Sequence, residues 1–241
     1  MTPTDHGVTR RGALRGLGRA GLGLAGLGLF GPKDFEDEAF SATPSCTLVA
    51  EQEEGPYYLD LDKVRKNITE GRDGIRLDLR IKIVDSTSCD PLKDVAVDIW
   101  HCAANGQYSG FSAEGTSGET FLRGVQLTDA EGVAAFRTIY PGWYQGRATH
   151  IHLKAHVGGH VAHTGQLFFR DATTDKIARL SPYSSRTIAR TRNRVDHVYT
   201  QEHGSSSVLS LTARRKGSIR DGFTARITLG VNPDATPAAV G

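Results

Sequence analysis

The stretch Ile75-Arg76-Leu77-Asp78-Leu79-Arg80-Ile81-Lys82-Ile83 alternates strictly between aliphatic and charged side chains. Successive side chains of a β-strand point to opposite faces of the sheet, so this period of two predicts a strand with one apolar and one solvated face. The four charged positions exclude a strand that is buried on both faces. The stretch therefore predicts a sheet that covers a core on one side, as in an all-β domain.

Further strands are predicted downstream of this stretch. Val95, Val97 and Ile99 begin the next strand, after a turn at residues 86–93. Apolar and β-branched segments predict five more strands, at residues 120–127, 133–139, 149–157, 165–169 and 223–231. Asp129-Ala130-Glu131-Gly132 is typical of a hairpin turn between two of them. Short strands separated by turns predict an antiparallel β-sandwich.

Residues 171–199 depart from this pattern, because they lack a period of two and carry many polar side chains. They predict one or two short helices within a long excursion. The basic run Arg214-Arg215-Lys216 precedes Gly217 and predicts a solvated turn. We expect the sandwich domain to span residues 43–233, and residues 234–241, rich in proline and alanine, to form a disordered tail.

The first 42 residues predict an export signal and linker. Thr9-Arg10-Arg11-Gly12-Ala13-Leu14 has the form of a twin-arginine signal, and a stretch rich in Gly, Leu and Ala follows at residues 16–30. Arg19 interrupts that stretch, which is too short for a convincing membrane span. The alternative is a disordered tail that contains arginines. We expect an exported protein whose mature form has no membrane span.

Composition and cysteine count narrow the class further. The chain of 241 residues is long enough for one domain with an apolar core, and its formal net charge of +2 gives no reason to expect nucleic acid as a partner. Cys46, Cys89 and Cys102 allow one disulfide, and no two of them have the spacing of a zinc site. A straight strand between Cys89 and Cys102 would hold them too far apart, which favours a pair that includes Cys46.

The first candidate functional residues lie in Thr149-His150-Ile151-His152-Leu153. Residues two apart on a strand share a face, so His150 and His152 are able to present both imidazoles to one metal ion. Two histidines on an ordinary strand face fit the same pattern, and His156 shares this face if the strand continues. Alone, the pattern does not choose between these interpretations.

Motifs upstream of this strand carry a family resemblance. They are Asp98-Ile99-Trp100-His101-Cys102, then Gly106-Gln107-Tyr108-Ser109-Gly110, then Tyr140-Pro141-Gly142-Trp143-Tyr144-Gln145-Gly146-Arg147. Residues 54–169 thereby resemble the intradiol ring-cleavage dioxygenases, which include protocatechuate 3,4-dioxygenase and catechol 1,2-dioxygenase. Members of that family carry two tyrosines, which match Tyr108 and Tyr144. They also carry an arginine three residues before the first histidine and a glutamine fourteen residues after the second, which match Arg147 and Gln166. A shortened segment after Tyr144 and a tryptophan at Trp143 look like the exported branch of the family.

The resemblance implies a transthyretin-like (prealbumin-like) sandwich and one iron(III) per chain, with four ligands: Tyr108, Tyr144, His150 and His152. Charge counting supports the ferric ion, because Fe(III) with two tyrosinates and one hydroxide sums to zero. A catechol dianion that displaces the hydroxide and one tyrosinate keeps the sum at zero. A divalent metal would become net negative, and a buried uncompensated charge is costly.

The resemblance also assigns roles to the residues around the metal. Tyr144 is implied to leave the metal and act as a base, while Tyr108 stays bound. Arg147 is expected to stabilise negative charge on the substrate, and Gln166 to position it. Tyr57 and Tyr58 are expected to line the pocket, with packing as an equal alternative.

The implied reaction opens a small aromatic diol with O2 to a muconate-type diacid, and an oligomer is compatible with it. Simple catechols, hydroxyquinol, protocatechuate and lignin-derived fragments all stay open as substrates. One competing interpretation is a cupin-like enzyme with a divalent metal, which would need a carboxylate and a third histidine. The other is a non-catalytic binding domain on a transthyretin-like sandwich.

Overall fold

The computed structural model of the protein describes residues 46–238. The predicted export signal and linker at residues 1–42 lies outside the described residues, as do the last three residues of the predicted tail. Residues 234–238 contain no helix or strand. Among the described residues, none of the helices has the length and apolar character needed to cross a membrane.

The first sheet is built from β1 (Arg76–Asp85), β4 (Val133–Ile139), β7 (Ser210–Arg215) and β8 (Ser218–Val231), in the spatial order β4-β1-β8-β7. The pairs β1–β4 and β7–β8 are antiparallel. The pair β1–β8 is parallel, which differs from the predicted antiparallel arrangement. Alternation decides which face a residue occupies, and it carries no information on the direction of the neighbouring strand.

The second sheet is built from β2 (Ala96–Trp100), β3 (Arg123–Leu127), β5 (His150–Val157) and β6 (His160–Phe168), in the spatial order β3-β2-β5-β6. All three of its strand pairs are antiparallel. Its register places Trp100 opposite His152 and His152 opposite Gln166. Three side chains singled out in the sequence therefore lie side by side across three strands.

The core lies between the two sheets. Leu77, Leu79 and Ile81 of β1 are fully buried, while the charged residues between them are half-buried. Ile99 of β2 and Leu153 of β5 are equally buried and belong to the same cluster. Full burial of each such side chain stabilises the fold by roughly 1.5–3 kcal/mol. The predicted all-β sandwich is confirmed.

The excursion after β6 holds α1 (Asp171–Ile177) and α2 (His197–Gln201), together with short 3-10 turns. The predicted one or two short helices are confirmed. Asp196 caps α2, because its carboxylate accepts the backbone N–H of Tyr199 at 2.9 Å. The excursion is fastened to the sandwich by Tyr183, whose hydroxyl donates to the Tyr140 carbonyl at 2.6 Å.

Two local predictions differ from the structure. The turn at residues 129–132 forms, but it joins β3 to β4, which lie in different sheets, so it is not a hairpin. Thr128 redirects the chain there, since its hydroxyl accepts the N–H of Val95 and donates to the Leu92 carbonyl. Strand β7 was not predicted, and Arg214 and Arg215 belong to it, so the solvated turn begins only at Lys216. Small polar residues weaken the alternation in this strand.

Further strand boundaries move, among them the start of β8, which lies at Ser218 instead of at the predicted residue 223. The third strand begins at Arg123 instead of at the predicted residue 120, because Leu122 adopts a positive φ of 58° that interrupts an extended chain. Strand β6 begins at His160, five residues before the predicted start. Gly158 and Gly159 form the tight turn that lets β6 pair with β5 from this early point.

The segment before β1 is tied to both sheets. A disulfide joins Cys46 to Cys89, which confirms the favoured pairing, and Cys102 is free and buried. Residues 63–68 then run along the open side of the sandwich. The N–H of Arg65 donates to Val125 of β3, and the N–H of Ile68 donates to Arg137 of β4, both at 3.0 Å.

Candidate active site

His150 and His152 project from the same face of β5. Their Nε2 atoms lie 2.9 Å apart. The Nδ1 atom of His150 lies 2.6 Å from the Ala148 carbonyl, to which it donates, so Nε2 keeps its lone pair. Burial lowers the pKa of His150 to about 3 and the pKa of His152 well below its usual value. Both imidazoles are therefore neutral, the form that binds a metal.

Two tyrosines complete this group. The hydroxyl of Tyr144, in the loop after β4, lies 3.3 Å from Nε2 of His150. Tyr108 lies edge-on to Tyr144, with ring centroids 5.6 Å apart, and its buried hydroxyl has no hydrogen-bond partner. Burial raises the pKa of both phenols, and the charge of Arg147 opposes this rise at Tyr144. Neither phenol ionises at neutral pH unless a metal cation binds to it.

The donor set fits a small, highly charged cation. An unpartnered buried hydroxyl is costly, and Tyr108 has one, which a metal ion would satisfy. Two neutral imidazoles present their Nε2 atoms to the same point, and Tyr144 approaches from the side. The structure thus brings together all four residues that the sequence analysis proposed as ligands.

An aromatic stack supports this group. The indole of Trp100 lies against the imidazole of His152, with centroids 4.9 Å apart and planes 4° apart. Tyr57 stacks on Tyr108 at 4.1 Å and 7°, and contacts Tyr144 edge-on at 5.8 Å. Tyr57 therefore packs against both tyrosines, and its role in lining a substrate pocket stays a prediction. Tyr58 instead packs against the indole of Trp100, with centroids 4.9 Å apart, and the ammonium group of Lys154 lies over its ring. Tyr58 therefore contacts Trp100, which in turn stacks on His152.

Arg147 is nine-tenths buried and held by three side chains. Its Nε donates to Asp196 at 2.9 Å, one terminal nitrogen donates to Glu53 at 3.0 Å, and the other donates to Gln166 at 2.5 Å. Its charge lies close enough to Tyr144 to favour the ionised phenol. This position is compatible with the predicted electrostatic role of Arg147, although two carboxylates already share its guanidinium.

Gln166 is fully buried and engaged by the protein. Its side-chain oxygen accepts from Arg147, its side-chain nitrogen donates to the Glu53 carbonyl at 3.0 Å, and its backbone N–H donates to Gln52 at 2.6 Å. These contacts make Gln166 a support for Arg147. They leave its predicted role in positioning substrate as a prediction.

Sequence reasoning missed Glu53 and Asp196, and it did not foresee that Trp100 would stack on His152. The register between β2 and β5 would have revealed the stack, because Trp100 and His152 are opposite each other. Asp196 lies 46 residues beyond His150 in an excursion without regular pattern, and no local signal connects the two. As the cap of α2, Asp196 indicates where that helix begins, and it does not indicate a contact with Arg147.

Comparisons with known proteins agree with this geometry. A family model described as "Dioxygenase" matches residues 53–202. The solved structure of an intradiol ring-cleavage dioxygenase from Tetranychus urticae is 35% identical with a TM-score of 0.76, covering 80% of this chain and 98% of that one. The dioxygenase domain of a carbohydrate-binding fusion protein from Streptomyces sp. SirexAA-E is 26% identical with a TM-score of 0.55, covering 78% and 97%.

A curated relative, chlorocatechol 1,2-dioxygenase of Cupriavidus pinatubonensis, is 27% identical over 139 residues, which are 48% of this chain and 52% of the relative. The chain thus spans about half the length of the curated relatives it matches. The match to the family model covers most of the described sandwich and all four clustered side chains. The chain belongs to the intradiol ring-cleavage dioxygenases, a family of oxidoreductases.

Proposed function

We propose that the protein is an exported iron(III)-dependent dioxygenase that opens a catechol-type ring between its two hydroxyl-bearing carbons. The observation that carries this proposal is the convergence of two phenols and two neutral imidazoles: His150 lies 2.9 Å from His152 and 3.3 Å from the Tyr144 hydroxyl, and the buried ring of Tyr108 packs edge-on to Tyr144. Phenols whose pKa is raised by burial need a strong Lewis acid to ionise, and Fe(III) meets that need where a divalent ion does so less well.

Each of the residues around the metal site has a separate role in this reaction. Iron(III), when bound, supplies the Lewis acidity that ionises the phenols and the electron acceptance that activates the catechol ring. Tyr144 accepts a catechol proton at its phenolic oxygen, because it is the more accessible of the two tyrosines. Tyr108 stays in place, stacked beneath Tyr57. Arg147 stabilises negative charge at this edge of the site.

The substrate class rests on the family and on the relatives. The family cleaves catechol-type rings, and one curated relative is named for chlorocatechol. Both atoms of O2 enter the product, so a catechol becomes a muconate-type diacid with no other reactant. Tyr57 and Phe111 contact each other edge to face, with centroids 5.2 Å apart, and add aromatic surface beside Tyr108 and Tyr144.

Export is supported by two independent features. The twin-arginine pattern at residues 9–14 belongs to a pathway for proteins that are already folded. The disulfide between Cys46 and Cys89 is of the kind that persists in oxidising compartments. A protein that folds and acquires iron before export, and forms its disulfide after export, satisfies both.

The proposal is tested by a ring-cleavage assay over a panel of catechols, with product spectra that separate intradiol from extradiol opening. The purified protein should contain one iron per chain and be reddish, from tyrosinate-to-iron(III) charge transfer. Tyr144→Phe should reduce turnover by about 10²–10⁴-fold, the usual contribution of a positioned acid or base.

The matched control is Tyr140→Phe. Tyr140 lies four residues upstream and is also buried, but its hydroxyl contacts Thr174 at 2.7 Å, away from the four clustered side chains. This variant should lose about 1 kcal/mol of stability and keep its turnover. Colourless, iron-free protein without ring-cleavage activity, when matured through its natural export route, would overturn the proposed function.

A further inference from the structure

Asp196 connects the excursion to the active site through a single carboxylate. Its side chain is completely buried. One oxygen accepts from Nε of Arg147 at 2.9 Å and from the backbone N–H of Ala148 at 2.7 Å. The other oxygen accepts the backbone N–H of Tyr199 at 2.9 Å. Every neighbour within these contacts is a donor, so the ionised carboxylate matches its surroundings fully.

Through Ala148, Asp196 is connected to the candidate metal ligand His150. The carbonyl of Ala148 accepts Nδ1–H of His150 at 2.6 Å, which selects the tautomer with a free Nε2 lone pair. Asp196 anchors the N–H of the same residue. It therefore fixes the place of the carbonyl that orients His150, although it does not touch the imidazole itself.

The contact with Arg147 acts on the other side of the site. Arg147 shares hydrogen bonds with Glu53 and Gln166, but Glu53 is partly exposed and reaches the arginine through one terminal nitrogen. Asp196 is the buried partner, and it holds Nε. Capping of α2 would need only the oxygen that accepts from Tyr199, yet that oxygen also lies 3.5 Å from a terminal nitrogen of Arg147, so both oxygens contact the site.

We propose that Asp196 is a positioning residue of the active site, which sets the tautomer and orientation of His150 through Ala148 and the placement of Arg147 directly. The effects on turnover and on the charge-transfer band rest on the proposed function. The effect on His150 concerns the protein alone and is measurable without iron.

Asp196→Asn is the main variant, because it keeps the size of the side chain and removes its charge. The amide nitrogen must face a donor at one of the two oxygen positions, so at least one of the contacts is lost. We expect kcat to fall about 10- to 100-fold, as for other partners that orient metal-binding histidines. We expect KM to change little, and the charge-transfer band of the iron-loaded protein to shift.

The readout without iron is the ¹⁵N spectrum of His150 in metal-free protein with labelled histidines. The parent protein should show Nδ1 protonated and Nε2 bare, and Asp196→Asn should show a mixture of tautomers. Asn193→Ala is the matched control. Asn193 is buried in the same excursion and donates to the Phe169 carbonyl at 2.9 Å, so its loss should lower the Tm without moving His150, the band or kcat.

A purely structural role for Asp196 makes a different prediction. Asp196→Asn would then resemble Asn193→Ala, with a lower Tm, an unchanged His150 spectrum and unchanged kcat, and the proposal would be overturned. If the parent protein lacks iron and activity, the proposed function fails, yet the ¹⁵N comparison still decides the role of Asp196. Asp196→Ala is avoided because it leaves three buried donors unpaired at once.

Discussion

The indole of Trp100 and the imidazole of His152 are nearly parallel, 4° apart in plane and 4.9 Å apart in centroid. Nδ1 of His152 is buried without a hydrogen-bond partner, whereas Nδ1 of His150 donates to Ala148. The two imidazoles are therefore restrained in different ways. His150 is oriented by a hydrogen bond, and His152 is oriented by stacking.

Trp100→Ala should consequently loosen His152. We expect the free energy of unfolding to fall by about 3–5 kcal/mol, as for other buried tryptophans, and the iron content of purified protein to fall with it. Trp100→Phe keeps a ring in the stack and should retain more iron than the alanine variant. Denaturation curves and metal analysis check both. Equal iron content in the two variants would show that stacking does not hold His152.

Gly55→Ala should weaken iron binding through a different contact with His152. Gly55 has a positive φ of 74°, and an added Cβ would lie 3.1 Å from Cε1 of that imidazole. Gly71→Ala is a close control, because Gly71 has φ of 75° and an added Cβ would meet nothing within 4 Å. The free energy of unfolding of both variants should fall by about 1–2 kcal/mol because of backbone strain. Only Gly55→Ala should lower iron affinity in a chelator competition, and equal affinities would contradict the contact.

The stability of the metal-free protein should fall as pH drops from 6.5 towards 4. Burial lowers the pKa of His101 to about 4 and of His150 to about 3, so the native state stays neutral where the unfolded chain takes up protons. Stability is thus fully present above pH 6.5 and is lost as pH falls towards these lowered values. Thermal unfolding of iron-free protein at a series of pH values measures this, and a Tm that is constant from pH 6.5 to 4 would contradict it.

Protonation of Asp98 should have the opposite effect on stability to protonation of the buried histidines. Burial raises its pKa to about 7, so the native state binds a proton that the unfolded chain does not bind until much lower pH. This group adds stability as pH falls below 7. Asp98→Asn removes that compensation, and its Tm should decline more steeply with acidification than the Tm of the parent protein.

Loss of the disulfide between Cys46 and Cys89 should lower the free energy of unfolding by about 4 kcal/mol. The bridge spans 43 residues, and the estimate follows from the loop-closure entropy that it removes from the unfolded chain. Urea denaturation of the Cys46→Ser, Cys89→Ser double variant measures the change. A reductant should shift the midpoint of the parent protein and leave that of the double variant where it is.

The alternation of aliphatic and charged residues was enough to predict the sandwich. The strand β4 was predicted at its observed bounds, Val133–Ile139, and Ala134, Phe136 and Thr138 form its buried face. The alternation could not predict that β1 and β8 are parallel, since they are separated by more than 130 residues and pairing direction depends on the path of the whole chain. Strand β7 was missed because its side chains are mostly exposed and polar, so it has no clear apolar face.

The four clustered side chains were predicted from spacing and from family motifs, and the structure brings them together. What surrounds them was not predictable in the same way. Glu53 and Asp196 reach Arg147 from segments 94 and 49 residues distant in sequence, and both contacts exist only after the arm and the excursion have folded onto the sandwich. Local sequence patterns report local structure, and these partners are assembled by tertiary packing.

The strap formed by residues 63–68 has a consequence for how molecules of this protein meet one another. By pairing with both β3 and β4, it occupies backbone groups that would otherwise be free to recruit a strand from a neighbouring molecule. Strand β6 is covered by Gln52 and Leu209. In the described part of the chain, β7 is the remaining unpaired edge, and an added strand would have to desolvate its charged side chains Arg214 and Arg215, which pair with Asp78 and Asp221. Pairing with a strand of a second molecule is thereby disfavoured at the sheet edges that the described residues form.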